Sequence, residues 1–129
     1  MTAPRTPIRV VLVEDNDVYR ESLVFLLQRV DELDVVGAVA DGRSAVSACV
    51  ENAPDVAVVD YRLPDHDGAE VAADLRACCP AVALVFLSAS AGQDEYDAAS
   101  SVGAALVRKD EGVDVLVEAV RAAAGRRPE

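Results

Sequence analysis

The sequence predicts an α/β fold in which five parallel strands alternate with five helices. Three observations support this prediction. Short apolar runs rich in Val recur along the chain, longer segments with helical apolar spacing follow them, and Gly, Pro and Asp mark the breaks between the two. Strands and helices that alternate in this way form β-α units around a parallel sheet.

The predicted strands are short and apolar enough to be buried in such a sheet. They are Ile8 to Val13, Val35 to Ala40, Val56 to Val59, Ala83 to Leu87 and Ala104 to Val107.

Each predicted helix carries apolar residues at the i, i+3, i+4, i+7 spacing of one buried face. These are Leu23, Leu26, Leu27 and Val30 in the first helix, Val46, Cys49, Val50 and Ala53 in the second, Gly68, Val71, Ala72 and Leu75 in the third, and Val113, Leu116, Val117 and Val120 in the fifth. The fourth helix, around Asp94 to Val102, offers only Ala98, Ala99 and Val102, so it should be the most weakly packed. Asp17 is the expected cap of the first helix.

Length and charge limit the function classes. At 129 residues the chain fits one domain, with loose tails expected at residues 1–7 and 125–129. It holds 12 Lys and Arg against 23 Asp and Glu, a net charge of −11, which disfavours nucleic-acid binding by this chain.

The N-terminus does not resemble a signal peptide, no apolar run is long enough to span a membrane, and the three cysteines suit a reducing compartment. We therefore expect a cytoplasmic protein.

Four of the five predicted strands end in polar residues: Glu14 and Asp15, Asp60, Ser88 and Lys109. In an open parallel sheet these ends lie on one edge, where ligands bind. Two carboxylates about 5 Å apart repel by roughly 3 kcal/mol at an effective dielectric near 20, so three of them need a cation. All-oxygen ligands favour Mg²⁺. Beside Mg²⁺ and a lysine, Asp60 could attack a phosphoryl group as a nucleophile.

Each residue also has an ordinary explanation when taken alone. Glu14 and Asp15 could favour a helix N-terminus, Asp60 could be a turn residue, Ser88 a loop serine and Lys109 a solvated lysine. Their convergence on one edge is what favours the site.

Polar residues of the loop after Asp60 have less certain roles. Asp65 and Asp67 are expected to be loop or helix-entry residues, and His66 is expected to be exposed. Arg62 lies either over the mouth of the site or simply on the surface.

The segments "VEDN", "VVDYRLPDHDG", "FLSAS" and "VRKDE" resemble the receiver domain of bacterial two-component response regulators. The resemblance covers Ile8 to Ala124. It implies a flavodoxin-like three-layer sandwich with strand order 2-1-3-4-5, the order for which a chemotaxis receiver is a standard example. It also implies transfer of a phosphoryl group from a sensor histidine kinase or phosphotransfer protein.

The resemblance also implies roles for single residues. Glu14 and Asp15 match the acidic pair that holds Mg²⁺, and Asp60 matches the phosphorylated aspartate. The backbone carbonyl of Arg62 matches a further metal ligand. Ser88 and Lys109 match the residues that contact the phosphoryl group and start the conformational switch.

Two positions depart from the usual receiver pattern. Leu106 occupies the place of an aromatic residue that moves on activation, so either Tyr96 or Phe86 takes over that role or the aromatic relay is missing. Asp110 follows the lysine where proline is usual. Together with the segments "VVGAVADGRSAV" and "DYRLPDHDG", this "KD" pair resembles receivers of the LuxR/NarL-type subgroup. Members of that subgroup carry a C-terminal helix-turn-helix, so DNA could be a partner through a further domain. A homodimer through the fourth helix, fifth strand and fifth helix is a family option that the sequence leaves open.

Three rival classes of protein match part of this pattern. A flavodoxin would place a hydroxyl-rich phosphate loop where this chain has "EDND". A haloacid-dehalogenase-type phosphatase needs a general acid two residues after the aspartate, and Arg62 there cannot release its proton. The strongest rival is a receiver-like interaction module that works without phosphorylation.

Overall fold

The computed structural model describes residues 6–89 and 92–125 of the chain. Strands and helices alternate as predicted, and the parallel sheet has the order β2-β1-β3-β4-β5, which confirms the order implied by the resemblance. The elements are β1 (Ile8–Val13), α1 (Asp17–Gln28), β2 (Leu33–Val39), α2 (Gly42–Asn52), β3 (Val56–Asp60), α3 (Gly68–Cys78), β4 (Ala83–Ser88), α4 (Gln93–Ser101), β5 (Ala105–Arg108) and α5 (Val113–Ala123).

The strand boundaries matter because they carry the polar residues. Strand β1 has the predicted bounds, whereas β3 and β4 each run one residue further, so Asp60 and Ser88 are the last residues of their strands. Strand β5 is displaced by one residue and ends at Arg108. Strand β2 begins at Leu33, two residues before its predicted start, because Leu33 and Asp34 pair with Ile8 and Arg9 of β1.

The sheet separates two hydrophobic cores. Val10 and Leu12 of β1 belong to the core beneath α1 and α5, and Val11 and Val13 belong to the core beneath α2, α3 and α4. Successive side chains of a strand point to opposite faces, so a strand covered on both faces must be apolar throughout. This explains the unbroken Val runs.

Four sequence-based details of the helices were wrong. Asn16, not Asp17, caps α1, since its side chain accepts a hydrogen bond from the backbone N–H of Tyr19. Leu26 and Val50 were placed on buried faces but are 40% and 59% exposed. Each adjoins a residue of the same predicted face that is buried, Leu27 in α1 and Cys49 in α2. Ala53 was also placed on the buried face of α2 but is exposed, because the helix ends at Asn52 and Ala53 is its C-cap in the left-handed conformation. The predicted faces of α3 and α5 are buried, except that Val113 is only partly covered.

Helix α4 contributes least to the cores, in agreement with its prediction. Within its nine residues, all described, Ala99 is the single buried hydrophobic side chain, and the other buried residue is Glu95. Ala98 and Val102 are only partly covered.

The tails predicted at the two ends fall largely outside the described residues, which begin at residue 6 and end at residue 125. In the part of the chain that the structure covers, every helix is too short or too polar to cross a membrane.

Candidate functional site

The carboxyl ends of β1, β3 and β5 bring four of the predicted residues together. Glu14 and Asp15 directly follow β1, Asp60 ends β3, and Lys109 directly follows β5. Glu14, Asp15 and Asp60 each place a carboxylate oxygen within 4.8 Å of the other two. The convergence predicted from the strand ends is therefore present in the fold.

Glu14 is fully buried at this edge. Its Oε1 lies 2.5 Å from Lys109 Nζ, and its Oε2 accepts a hydrogen bond of 3.0 Å from the backbone N–H of Asn16. Burial raises the pKa of Glu14, and the bonds from Lys109 and Asn16 offset only part of that effect. An ionised Glu14 therefore depends on nearby positive charge.

Asp60 is 5% exposed. Its Oδ2 accepts a hydrogen bond of 2.9 Å from Lys109 Nζ, and its Oδ1 accepts one of 3.1 Å from the backbone N–H of Arg62. Asp15 completes the acidic group and is exposed. The buried carboxylate of Asp60 is thus fixed by two hydrogen bonds, and the exposed carboxylate of Asp15 lies next to it.

Lys109 connects the two buried acids. Burial lowers the pKa of Lys109, but the hydrogen bonds to Glu14 and Asp60 outweigh it, so the net pKa is raised and the ammonium stays protonated. The backbone N–H of Lys109 donates to the carbonyl of Ser88 at 2.8 Å, which ties the end of β5 to β4. The centroid of the Tyr19 ring, a contact that sequence analysis missed, lies 5.0 Å from Lys109 Nζ.

Ser88 is 4% exposed and its hydroxyl donates a hydrogen bond to Glu95 of α4. Glu95 is also 3.4 Å from the guanidinium of Arg62. Sequence analysis missed Glu95, because an acidic residue in a polar helix is usually solvated. The sequence carried one signal of its burial. Glu95 precedes Ala99 by four residues and Val102 by seven, which is the spacing of residues on one face of a helix.

The sequence singled out two further positions, Arg62 and Leu106. The side chain of Arg62 is 76% exposed, so it lies on the surface, where its guanidinium is also 5.8 Å from the ring of Tyr61. Leu106 is partly buried and packs against the core beneath α2, α3 and α4.

The loop after β3 has helix-capping roles. Asp67 caps α3 in a reciprocal capping box with Glu70, which agrees with its expected helix-entry role. Asp65 instead accepts hydrogen bonds from the backbone N–H groups of Gly42 and Arg43 at the start of α2. These bonds lower the pKa of Asp65 to about 2, with a smaller contribution from His66.

The expectation of an exposed His66 was only partly right. Its side chain is 26% exposed, and its Nδ1 lies 3.0 Å from Asp65 Oδ2. A Cβ at Gly42 would lie 2.7 Å from the same ring nitrogen. Glycine is therefore required at Gly42 if the ring is to keep this position.

The acidic group fits a hard divalent cation. Its three converging donors are carboxylate oxygens, the ligand type that Mg²⁺ prefers, and Asp15 leaves one side of the group open to solvent. The ammonium of Lys109 balances at most one of the three negative charges. A dication would therefore lower the electrostatic energy of this cluster.

Comparison with known proteins agrees with this geometry. Residues 10–121 match the family model described as the response regulator receiver domain. The transcriptional regulatory protein NarL of Mycobacterium tuberculosis is 35% identical over 117 residues, covering 88% of this chain and 53% of that protein. The transcriptional activator DevR/DosR of the same organism is 38% identical over 104 residues, covering 80% of this chain and 48% of the relative. The chain thus spans about half the length of these relatives.

Solved structures of response regulators also resemble this chain. The signal receiver domain of M. tuberculosis NarL has a TM-score of 0.88 and 33% identity, with 95% of this chain and all of that chain covered. A LuxR-family response regulator from Aurantimonas has a TM-score of 0.86 and 31% identity, covering 95% of this chain and 89% of that chain. With matching fold, strand order and sequence, the chain belongs to the response regulator receiver domain family, and its relatives are of the NarL/LuxR type.

Proposed function

We propose that this receiver accepts a phosphoryl group on Asp60 from a phosphohistidine of a sensor kinase or phosphotransfer protein. A carboxylate oxygen of Asp60 attacks phosphorus, the new O–P bond forms, and the P–N bond to the imidazole breaks. The observation that carries the proposal is the position of Asp60 at a strand end, 2.9 Å from Lys109 Nζ and within 4.8 Å of two further acids.

We further propose that Glu14, Asp15 and Asp60 hold Mg²⁺, with the backbone carbonyl of Arg62 as an additional ligand. When bound, Mg²⁺ neutralises charge on the transferring phosphoryl oxygens. Lys109 already holds one oxygen of Asp60, so it is placed to donate to the phosphoryl group formed there. The protein contributes mainly position and charge to the transfer.

Phosphorylation adds about −1.5 to −2 charge beside Lys109. Ser88 and Lys109 are the proposed contacts of the new phosphoryl oxygens. Ser88 donates to Glu95 of α4 and pairs with Arg108 of β5, and Lys109 directly follows β5. Helix α4 is the helix that contributes least to the core. The conformational response is therefore proposed to spread through α4 and β5.

The output is proposed from the relatives, which are named as transcriptional regulators and are about twice the length of this chain. In this proposal residues 8–124 form a cytoplasmic receiver, and DNA binding belongs to a domain beyond it. Phosphorylation would favour a homodimer through α4, β5 and α5. The chain would act as a switch that modifies itself and not as a turnover enzyme. A phosphorylation-independent module has less support, because it gives no role to the ion pairs that the partly buried Lys109 makes with the buried acids Glu14 and Asp60.

The test is intact mass measurement after incubation with an acyl phosphate, with and without Mg²⁺. We expect one added phosphoryl group on the wild type, dependent on Mg²⁺, and none on Asp60→Asn. Asp97→Asn is a matched control, since it makes the same change at an exposed residue of α4. Mass added equally to wild type and Asp60→Asn would exclude Asp60 as the acceptor. Where no mass is added, binding of the stable mimic beryllofluoride separates rapid hydrolysis from an inactive site.

A further inference from the structure

Glu95 is a buried acid on a helix that is otherwise mostly exposed. It is 5% exposed and lies in the first turn of α4, and the only other buried residue of that helix is Ala99. Burying a carboxylate is unfavourable unless polar partners replace the lost water. The partners of Glu95 therefore decide how firmly α4 is held against the sheet.

Glu95 has one buried partner and one exposed partner. The Ser88 hydroxyl, itself buried, donates a hydrogen bond to Glu95 Oε2. The guanidinium of Arg62 lies 3.4 Å from Oε1, but the Arg62 side chain is 76% exposed. Exposed ion pairs contribute little, whereas a hydrogen bond to a buried charge is among the stronger ones. Ser88 is thus the main partner of the Glu95 carboxylate.

The same bond fixes where the Ser88 hydroxyl points. Ser88 ends β4 one residue after Leu87, which pairs with Asp60 on β3. Two residues earlier, Phe86 packs in the core on the α4 side of the sheet. By strand alternation Ser88 also faces α4. In this structure the hydroxyl is therefore held by α4 beside the proposed phosphorylation site.

We propose that Glu95 is a positioning residue for the Ser88 hydroxyl and that it couples Asp60 to α4. The inference rests on the proposed function. In the unphosphorylated protein Glu95 holds the hydroxyl toward α4. After phosphorylation of Asp60 the hydroxyl donates to a phosphoryl oxygen instead, and no covalent bond other than that of the phosphotransfer changes. Glu95 then loses its buried donor.

This coupling between Asp60 and α4 does not require an aromatic residue at position 106. A buried carboxylate without its donor carries a desolvation penalty, and movement of Glu95 into water removes it. Within this helix, which the structure describes completely, Ala99 is the only other buried residue, so little buried apolar surface opposes such movement. Loss of the hydrogen bond from Ser88 to Glu95 therefore causes α4 to move away from the sheet.

The test compares Glu95→Gln with Asp94→Asn. Both variants remove one negative charge from the first turn of α4, but Asp94 is exposed. Glutamine keeps the shape of Glu95 and replaces a charge-assisted hydrogen bond by a weaker neutral one. Amide hydrogen exchange of residues 93–101 is measured with and without beryllofluoride and Mg²⁺. For Glu95→Gln we expect α4 to exchange about tenfold faster in the resting protein and the mimic to bind about tenfold more tightly. Asp94→Asn should behave like wild type.

A double-mutant cycle with Ser88→Ala distinguishes positioning from a general structural role. If Glu95 acts through Ser88, Glu95→Gln should cause no further increase in α4 exchange when Ser88 is already alanine. Additive effects of the two substitutions would overturn the inference. So would a Glu95→Gln protein with wild-type exchange and wild-type affinity for beryllofluoride. If the wild type itself binds no beryllofluoride at Asp60, the proposed function fails, and the inference fails with it.

Discussion

Replacement of Lys109 by methionine removes the positive charge on which the two buried acids depend. Lys109 Nζ lies 2.5 Å from Glu14 and 2.9 Å from Asp60, and the side chains of these acids are 0% and 8% exposed. Removing one partner of a buried ion pair costs about 3–5 kcal/mol. Two carboxylates at the 4.8 Å limit of this group repel by about 3 kcal/mol at an effective dielectric of 20. Because Lys109 is itself 21% exposed, we expect the lower value, a loss of about 3 kcal/mol in the free energy of unfolding.

The assay is urea denaturation followed by circular dichroism at pH 7, first without divalent cations. Arg108→Met is the matched control, because Arg108 is the neighbouring cation and its ion pair with Asp110 is exposed. The control should lose less than about 1 kcal/mol. Mg²⁺ should stabilise Lys109→Met more than wild type, since it replaces the lost positive charge and binds only the folded site. Equal stability of Lys109→Met and Arg108→Met without Mg²⁺ would refute this account of the site.

Two further predictions concern the scaffold. Asp65→Asn should lower the free energy of unfolding by about 1 kcal/mol at pH 7, because a neutral side chain then replaces the charged acceptor of the Gly42 and Arg43 backbone N–H groups at the start of α2. Because folding lowers the pKa of Asp65 from 3.8 to about 2, this contribution is complete above pH 4 and disappears as the pH falls through 2, so unfolding midpoints of the two proteins should converge there. Leu27→Ala, at a fully buried position, should cost about 3 kcal/mol in a urea titration, whereas Phe25→Ala, at a side chain 62% exposed, should change stability by less than about 0.5 kcal/mol. A similar loss in both proteins would contradict the assigned burial.

The sheet edge could be predicted from the sequence because two simple rules determine it. Apolar Val runs locate the strands, and the helices between them make the strands parallel, so all their carboxyl ends lie on one edge. The residue that follows each run is then fixed in space without any knowledge of side-chain packing. This is why Glu14, Asp60 and Lys109 were placed together correctly, even though the exact last residues of β3 and β4 were missed by one.

Helix faces were predicted less well, because periodicity does not distinguish adjacent apolar residues. Leu26 and Leu27 both fit the buried face of α1, as Cys49 and Val50 both fit that of α2. The choice depends on the rotation of each helix against the sheet, which the packed side chains set. The cap of α1 presents the same difficulty, since Asn16 and Asp17 are both good caps and only the exit of the chain from β1 selects Asn16.

Glu95 shows a different limit of sequence reasoning. Its chemistry predicts exposure, while its spacing from Ala99 and Val102 predicts burial on the face of α4 that meets the sheet. The conflict cannot be resolved from either signal alone, because the outcome depends on Ser88 being available as a donor from another strand. Sites where local propensity and tertiary position disagree are often functional. The weak apolar face of α4 and the leucine at position 106 are then related observations: a helix anchored by one alanine and one hydrogen-bonded acid can respond to the loss of a single bond without an aromatic relay.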